Sequence, residues 1–265
     1  MFRLLLVTDR PEVNAIYDGL RWDMMGFKTP RKAAGMQELL QIMQKHRIDA
    51  VSFDLPQDEL DELTRVLIRD YPDVPVIRAG RNADEAMKHL ASLEKLLNRL
   101  NEDYSNDGFT RVDILQQCRH EFFRKLLGGE VSRNDDVVGK LMMLRSKMDP
   151  DQPCVVVPMS LPAGDRFLSD RWRYGYERLE LALRNILGTE MGGMHILVSV
   201  LPDEEIYLLA YPMRGSKVDV ENTLPKMQKH VSDAIVHIKE YLGLELVPEQ
   251  VTILPTILEL TAAEE

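Results

Sequence analysis

The amino-acid sequence predicts an α/β protein: a doubly wound parallel sheet, a helical connector, and then an α+β domain. Three observations carry this. The length of 265 residues exceeds one ordinary domain, for which roughly 100 to 200 residues is the working range. Between Met1 and Gly80, short apolar runs alternate with helical spacings, as strands and helices do around a parallel sheet. Beyond Gln152 the order becomes strand, helix, hairpin, helix, strand. The expected boundaries are residues 1–100 for the first domain, 101–150 for the linker and connector helices, and 151–265 for the second domain.

Arg3 to Thr8 is an apolar run of buried-strand length, broken by Asp9-Arg10-Pro11 before a helical pattern through Val13, Ile16, Leu20 and Trp22. Phe27 to Ala34 offers a second strand, and Met36 to His46 a helix on Leu39, Leu40 and Met43. Ile48 to Phe53 is another buried strand, ending at Asp54. Leu60, Leu63, Val66 and Leu67 space a helix to Tyr71, and Val74-Pro75-Val76-Ile77 follows the turn at Pro72-Asp73 as a strand. Asn82 to Asn98 reads as one helix through Ala86, Leu90, Leu93, Leu96 and Leu97.

Asn, Asp, Ser and Gly crowd the stretch from Asn101 to Thr110, so the first domain is expected to end near Leu100. Arg111 to Leu127 spaces Ile114, Leu115, Cys118, Phe122, Phe123 and Leu126 as a helix that Gly128-Gly129 stops, and Asp135 to Met148 is a second helix. Their broad apolar faces fit two uses, pairing with a second copy or facing the core of their own chain. Cys154 to Val157 is then a strand and Arg171 to Leu187 a long helix. His195 to Val200 and Ile206 to Tyr211 flank the hairpin turn Leu201-Pro202-Asp203-Glu204-Glu205, before a helix from Asn222 to Leu242 and a strand from Gln250 to Leu254.

Composition argues against several classes. No run approaches about 18 consecutive apolar residues, and the opening Met1-Phe2-Arg3-Leu4-Leu5-Leu6-Val7 is too short and too soon polar for a signal peptide, so a cytoplasmic protein without membrane attachment is expected. Acidic residues number 43 against 33 basic, and the net charge of −10 opposes attraction to phosphate backbones. Cys118 and Cys154 lack ligand spacing and read as reduced thiols. His46, His89, His120, His195, His230 and His237 form no ligand pattern. Gly192-Gly193 reads as a turn, Gly128-Gly129 as a helix end, and Asp58-Glu59-Leu60-Asp61-Glu62-Leu63 as a helix start whose carboxylates complement the dipole. Trp172, Tyr174 and Tyr176 open a helix and fit packing on their own domain.

Ligands of a doubly wound sheet gather at the carboxyl ends of its strands, which brings Asp9 and Asp54 to one edge. Leu5-Leu6-Val7-Thr8-Asp9-Arg10-Pro11 resembles the opening of a response-regulator receiver domain, a flavodoxin-like fold. Arg21-Trp22-Asp23-Met24-Met25-Gly26-Phe27 resembles a stretch of YesN-type regulators of the AraC class. Ile48-Asp49-Ala50-Val51-Ser52-Phe53-Asp54-Leu55-Pro56 is similar to the strand that delivers the phosphorylated aspartate. Over Met1 to Gly80 the resemblance implies that Asp54 is the phosphoacceptor and Asp9 an acid holding magnesium. Such transfer needs a metal and a cation, because negative charge accumulates as the phosphoryl group moves. Thr8 stands where the family has its other acid, Arg78-Ala79-Gly80 follows the fourth strand in place of Ser or Thr, and no fifth strand with its Lys is found. Weak magnesium affinity, no other cofactor and no catalytic residue are therefore expected. Two readings stay open, a pseudo-receiver that is never phosphorylated and a weakly phosphorylated one. An Asp54 that merely caps the following turn is compatible with the first.

Glu121-Phe122-Phe123-Arg124-Lys125-Leu126-Leu127-Gly128-Gly129 and Leu181-Ala182-Leu183-Arg184-Asn185-Ile186-Leu187 resemble the middle region of YesN-type regulators. Arg111 to Pro255 is also similar to a worn GGDEF diguanylate cyclase, a nucleotide-cyclase-like fold. An active loop there uses two glycines and metal-holding acids, whereas Leu201 and Pro202 take the glycine places and Val157-Pro158-Met159-Ser160 offers no acid. Asp203, Glu204 and Glu205 then read as solvated turn residues, and the chain is expected not to be an enzyme. The resemblance implies the regulatory and dimerisation part of a two-component transcription regulator, a homodimer through its connector helices with a histidine kinase as candidate partner. DNA would be reached only through a helix-turn-helix region that is not found before Leu260-Thr261-Ala262-Ala263-Glu264-Glu265. The alternative is a stand-alone interaction protein without a DNA-binding output, and a residual cyclase ranks third.

Overall fold

The computed structural model describes residues 1–106, 110–132, 136–201, 204–213 and 215–261, and of residues 57, 58 and 103–106 the backbone only. It is a mixed α/β chain with a four-stranded parallel sheet and a six-stranded antiparallel one. Packing divides it into two units, Met1–Arg119 with Asp136–Ser146, and His120–Asp135 with Lys147–Glu265. No helix among the described residues is long and apolar enough to cross a membrane.

In the first unit β1 (Leu4–Thr8), β2 (Arg31–Ala33), β3 (Ala50–Asp54) and β4 (Val76–Arg78) lie in the order β2-β1-β3-β4. Every residue of β1 and β3 is buried, because helices cover both faces of the sheet. The helices are α1 (Pro11–Asp18), α2 (Met36–Lys45), α3 (Gln57–Asp70) and α4 (Ala83–Asn106). Leu5, Val7, Val51 and Phe53 share one core with Leu39 and Met43 of α2 and Leu60, Leu63 and Leu67 of α3. On the opposite face the Tyr17 hydroxyl of α1 lies 3.1 Å from Ser52 Oγ and accepts from the Gly80 N–H at 3.2 Å. Burial pushes that phenol above its ordinary pKa. A Cβ on Gly80 would stand 2.2 Å from the Ala86 nitrogen, so the step from β4 into α4 requires glycine.

Local chemistry moves several bounds. The first helix ends at Asp18, and Trp22 sits in a separate 3-10 turn, Trp22–Met24, with its indole N–H donating to Tyr17 O at 3.0 Å. The second strand shrinks to Arg31–Ala33 after Pro30, leaving Phe27 in an isolated bridge with Phe2. The helix expected to stop before Leu100 runs on to Asn106. After α5 (Arg111–Leu127), α6 (Val137–Met143) is short, capped by the Asp136 carboxylate accepting from Gly139 N at 2.7 Å. It packs on β4 and puts Met142 into the first unit's core. Ile114, Leu115, Cys118, Phe122, Phe123 and Leu126 of α5 are likewise buried within the chain.

In the second unit β5 (Cys154–Ser160), β6 (Glu190–Met191), β7 (Met194–Val200), β8 (Ile206–Pro212) and β10 (Thr252–Leu254) take the order β10-β5-β8-β7-β6, and β9 (Val247–Pro248) also pairs with β5. α7 (Tyr176–Leu187) links β5 to the hairpin, and α8 (Val220–Leu242) leads on from it. Leu179 and Leu183 of α7 and Met227, Val231 and Ile238 of α8 pack on Val155, Val157, Ile196, Val198 and Leu208. On the other face Phe123 stacks on Tyr211 with ring centroids 6.1 Å apart. The helix expected from Arg171 is two pieces, a π-helical turn Phe167–Arg171 and then α7, because Gly175 takes φ 78° and its carbonyl accepts from the Trp172 indole at 2.8 Å. Gly192 and Gly193, with φ 60° and 83°, make the tight turn from the short strand β6 into β7.

Candidate functional site

The carboxyl edge of the parallel sheet is built by the residues that leave its strands. β1 and β3 pair in register so that Thr8 lies directly beside Asp54. Both are buried, with Asp54 only 8% exposed, and Thr8 Oγ1 accepts from the Arg10 N–H at 3.1 Å. Two guanidinium groups close on the carboxylate, Arg10 Nε 3.2 Å from Oδ2 and Arg81 Nη2 3.5 Å from Oδ1. The Arg10 contact is close but not aligned as a hydrogen bond, so the buried Oδ2 carries an ion pair without a directed donor. Beside this carboxylate opens a cleft of about 340 Å³ lined by Leu55, Leu60, Arg78, Arg81 and Glu85. The Glu85 carboxylate accepts from the Arg81 N–H at 2.8 Å, which fixes the backbone from which Arg81 reaches Asp54.

Asp9 is exposed at the end of β1, and among the described residues no group of three or more His, Cys, Asp and Glu could hold a metal ion. The donor set around Asp54 does not fit magnesium: its neighbour Thr8 is uncharged, and the nearest charges are two cations that repel a third. Chemically the arrangement neutralises a carboxylate from within the chain. Sequence reading singled out Asp54 and missed Arg10 and Arg81 as its partners. The signal was there, since Arg10 and Arg81 follow the ends of β1 and β4, at the same edge as the end of β3.

A second carboxylate, Glu180 of α7, is buried in the antiparallel unit. It accepts from the Val200 N–H at 2.9 Å and from Arg124 through Nε and Nη2 at 3.1 and 3.3 Å. Burial raises its pKa despite those donors. Its place among Leu179, Leu183 and Leu187, on the buried face of α7, was the overlooked signal.

The remaining candidates are structural. Cys118 and Cys154 are buried and are not joined in a disulfide, and burial pushes the Cys154 thiol up to about 12. His230 Nε2 lies 2.6 Å from Leu187 O, while His237 pairs with Glu240 and stacks on Tyr241. Gly129, with φ 71°, ends α5. Trp172 packs against Phe167 and Tyr174. In the hairpin Leu201 N–H donates to Glu205 O at 2.8 Å and Glu204 adopts φ 68°, whereas Pro202 and Asp203, like the side chain of Asp58, lie outside the described residues. No family model and no curated protein matches this chain.

Proposed function

We propose that this chain is the regulatory part of a two-component-type transcription regulator, with a receiver-like first unit and a cyclase-like second unit that work through association rather than catalysis. The observation that carries the reading is Asp54: it ends β3, the place that the sequence resemblance gives a phosphoacceptor, yet Arg10 and Arg81 supply its counter-charge and Thr8 lies beside it. Two features of topology support it. The strand order β2-β1-β3-β4 is that of a flavodoxin-like sheet without a fifth strand, and the order strand, helix, hairpin, helix, strand with β5 beside β10 and β8 suits a nucleotide-cyclase-like domain. Most apolar positions of α5 and α6 are buried within the chain and Val112 of α5 is exposed, so association with a second copy or a histidine kinase would have only a small apolar part of the connector to use.

The test is treatment of the full chain with acetyl phosphate and magnesium, read by intact mass. No adduct is expected. An adduct that disappears in Asp54→Asn would show a live receiver and overturn the reading that the first unit works without phosphoryl chemistry, and a dinucleotide formed from GTP and magnesium would overturn the non-catalytic reading of the second.

A further inference from the structure

The residue that leaves α6 breaks two local rules at once. Arg145 N–H donates to Met142 O at 2.9 Å and Ser146 N–H to Leu141 O at 2.8 Å, the paired bonds of a helix-ending turn. That turn favours glycine because φ is positive, yet here φ is 60° and the residue is arginine. Its side chain is then buried, 5% exposed, with Nε and Nη2 both lacking a hydrogen-bond partner. Burial draws its pKa down to about 10, the neighbouring charge of Arg119 adds to this, and Asp73 opposes it. Arg145 is therefore charged at neutral pH. Arg119 Nη1 donates to the carbonyls of Leu144 and Arg145 at 3.1 and 3.0 Å, so it caps the turn and brings a second positive charge to it.

Nε and Nη2 are the two donors along one edge of a guanidinium, the fork that grips two oxygens of one carboxylate or phosphoryl group. Arg124 uses these same atoms on Glu180. A buried charged fork with neither donor engaged is unfavourable, and its backbone position is one that glycine would take without strain. Asp73 acts on the charge without bonding either donor, so the fork itself stays open. We propose that Arg145 anchors an oxyanion site, its Nε and Nη2 taking two oxygens of a carboxylate or phosphoryl group while Arg119 adds charge.

The test is thermal melting and isothermal titration of the full chain at pH 7 with inorganic phosphate, acetate or chloride at equal ionic strength. One oxyanion should give a saturable titration and raise the melting midpoint with the logarithm of its concentration, by roughly 2–5 °C at ten times its Kd, and chloride should do neither. A response to phosphate assigns a phosphoryl ligand, and a response to acetate a carboxylate. Arg145→Gly should melt higher than the wild type without added anion, since the strain and the two buried unbonded donors both go, and should lose the oxyanion response. Arg145→Lys keeps the charge without the fork and should bind at least about tenfold more weakly. The proposal is overturned by the absence of a saturable oxyanion response, by an equal chloride response, or by an Arg145→Gly variant that keeps the response or melts lower than the wild type.

Discussion

The two units each bury a carboxylate beside arginine, and they treat it differently. In the antiparallel unit, Glu180 is gripped side-on by Arg124 and by a backbone N–H, so its donors are fixed by the fold. In the parallel unit, Asp54 meets arginines that are themselves 44% and 69% exposed, has one oxygen without a directed donor, and borders a cleft. The first arrangement holds a helix to a strand. The second leaves a buried charge answerable to side chains that solvent can reach.

The largest effect should come from breaking the inner pair. Arg124→Ala leaves Glu180 buried with only the Val200 N–H, and a stability loss of about 3–5 kcal/mol is expected in denaturant unfolding. A loss below about 1 kcal/mol would place Glu180 in the same class as a surface pair. Next is Gly80→Ala, where the new methyl meets Ala86 backbone atoms at 2.2 and 2.5 Å. The expected cost is about 2–3 kcal/mol, read as faster amide exchange in β1 and β3, and unchanged exchange there would refute the close approach.

A pH measurement sharpens the same contrast. Burial raises the Glu180 pKa in the folded state, so the folded chain binds more protons than the unfolded chain between the ordinary glutamate range and that raised value. The stability contributed by this group is full below the ordinary range and falls as pH rises through the raised pKa. Glu180→Gln should flatten that fall, and melting curves of wild type and variant that stay parallel from pH 4 to about 8 would contradict it.

The strands and their edge were legible because they rest on local patterns: the unbroken apolar runs of β1 and β3 specify burial on both faces, and strand ends specify where Asp54 must emerge. What was hidden depends on partners distant in sequence. Arg81 reaches Asp54 across a sheet, and Glu180 finds Arg124 from another helix. α6, expected as connector, adds Met142 to the core around β3 and β4, a destination that its apolar spacing left open between the chain's own core and a second copy. The long helix at Arg171 failed for a different reason: apolar spacing is blind to Gly175, whose positive φ divides it.

The smallest expected effect is the most discriminating. Arg10→Ala and Arg81→Ala each remove an ion-pair partner that is partly in water, so each should change stability by less than about 1 kcal/mol. Removing both leaves Asp54 buried beside Thr8 without a counter-charge, and the double variant should lose more than the sum of the singles, since each arginine covers for the other. Denaturant unfolding of the four proteins gives the coupling directly. If either single variant costs as much as Arg124→Ala, the arginines at Asp54 are as fixed by the fold as the one at Glu180, and the distinction between a packing carboxylate and a solvent-governed one is lost.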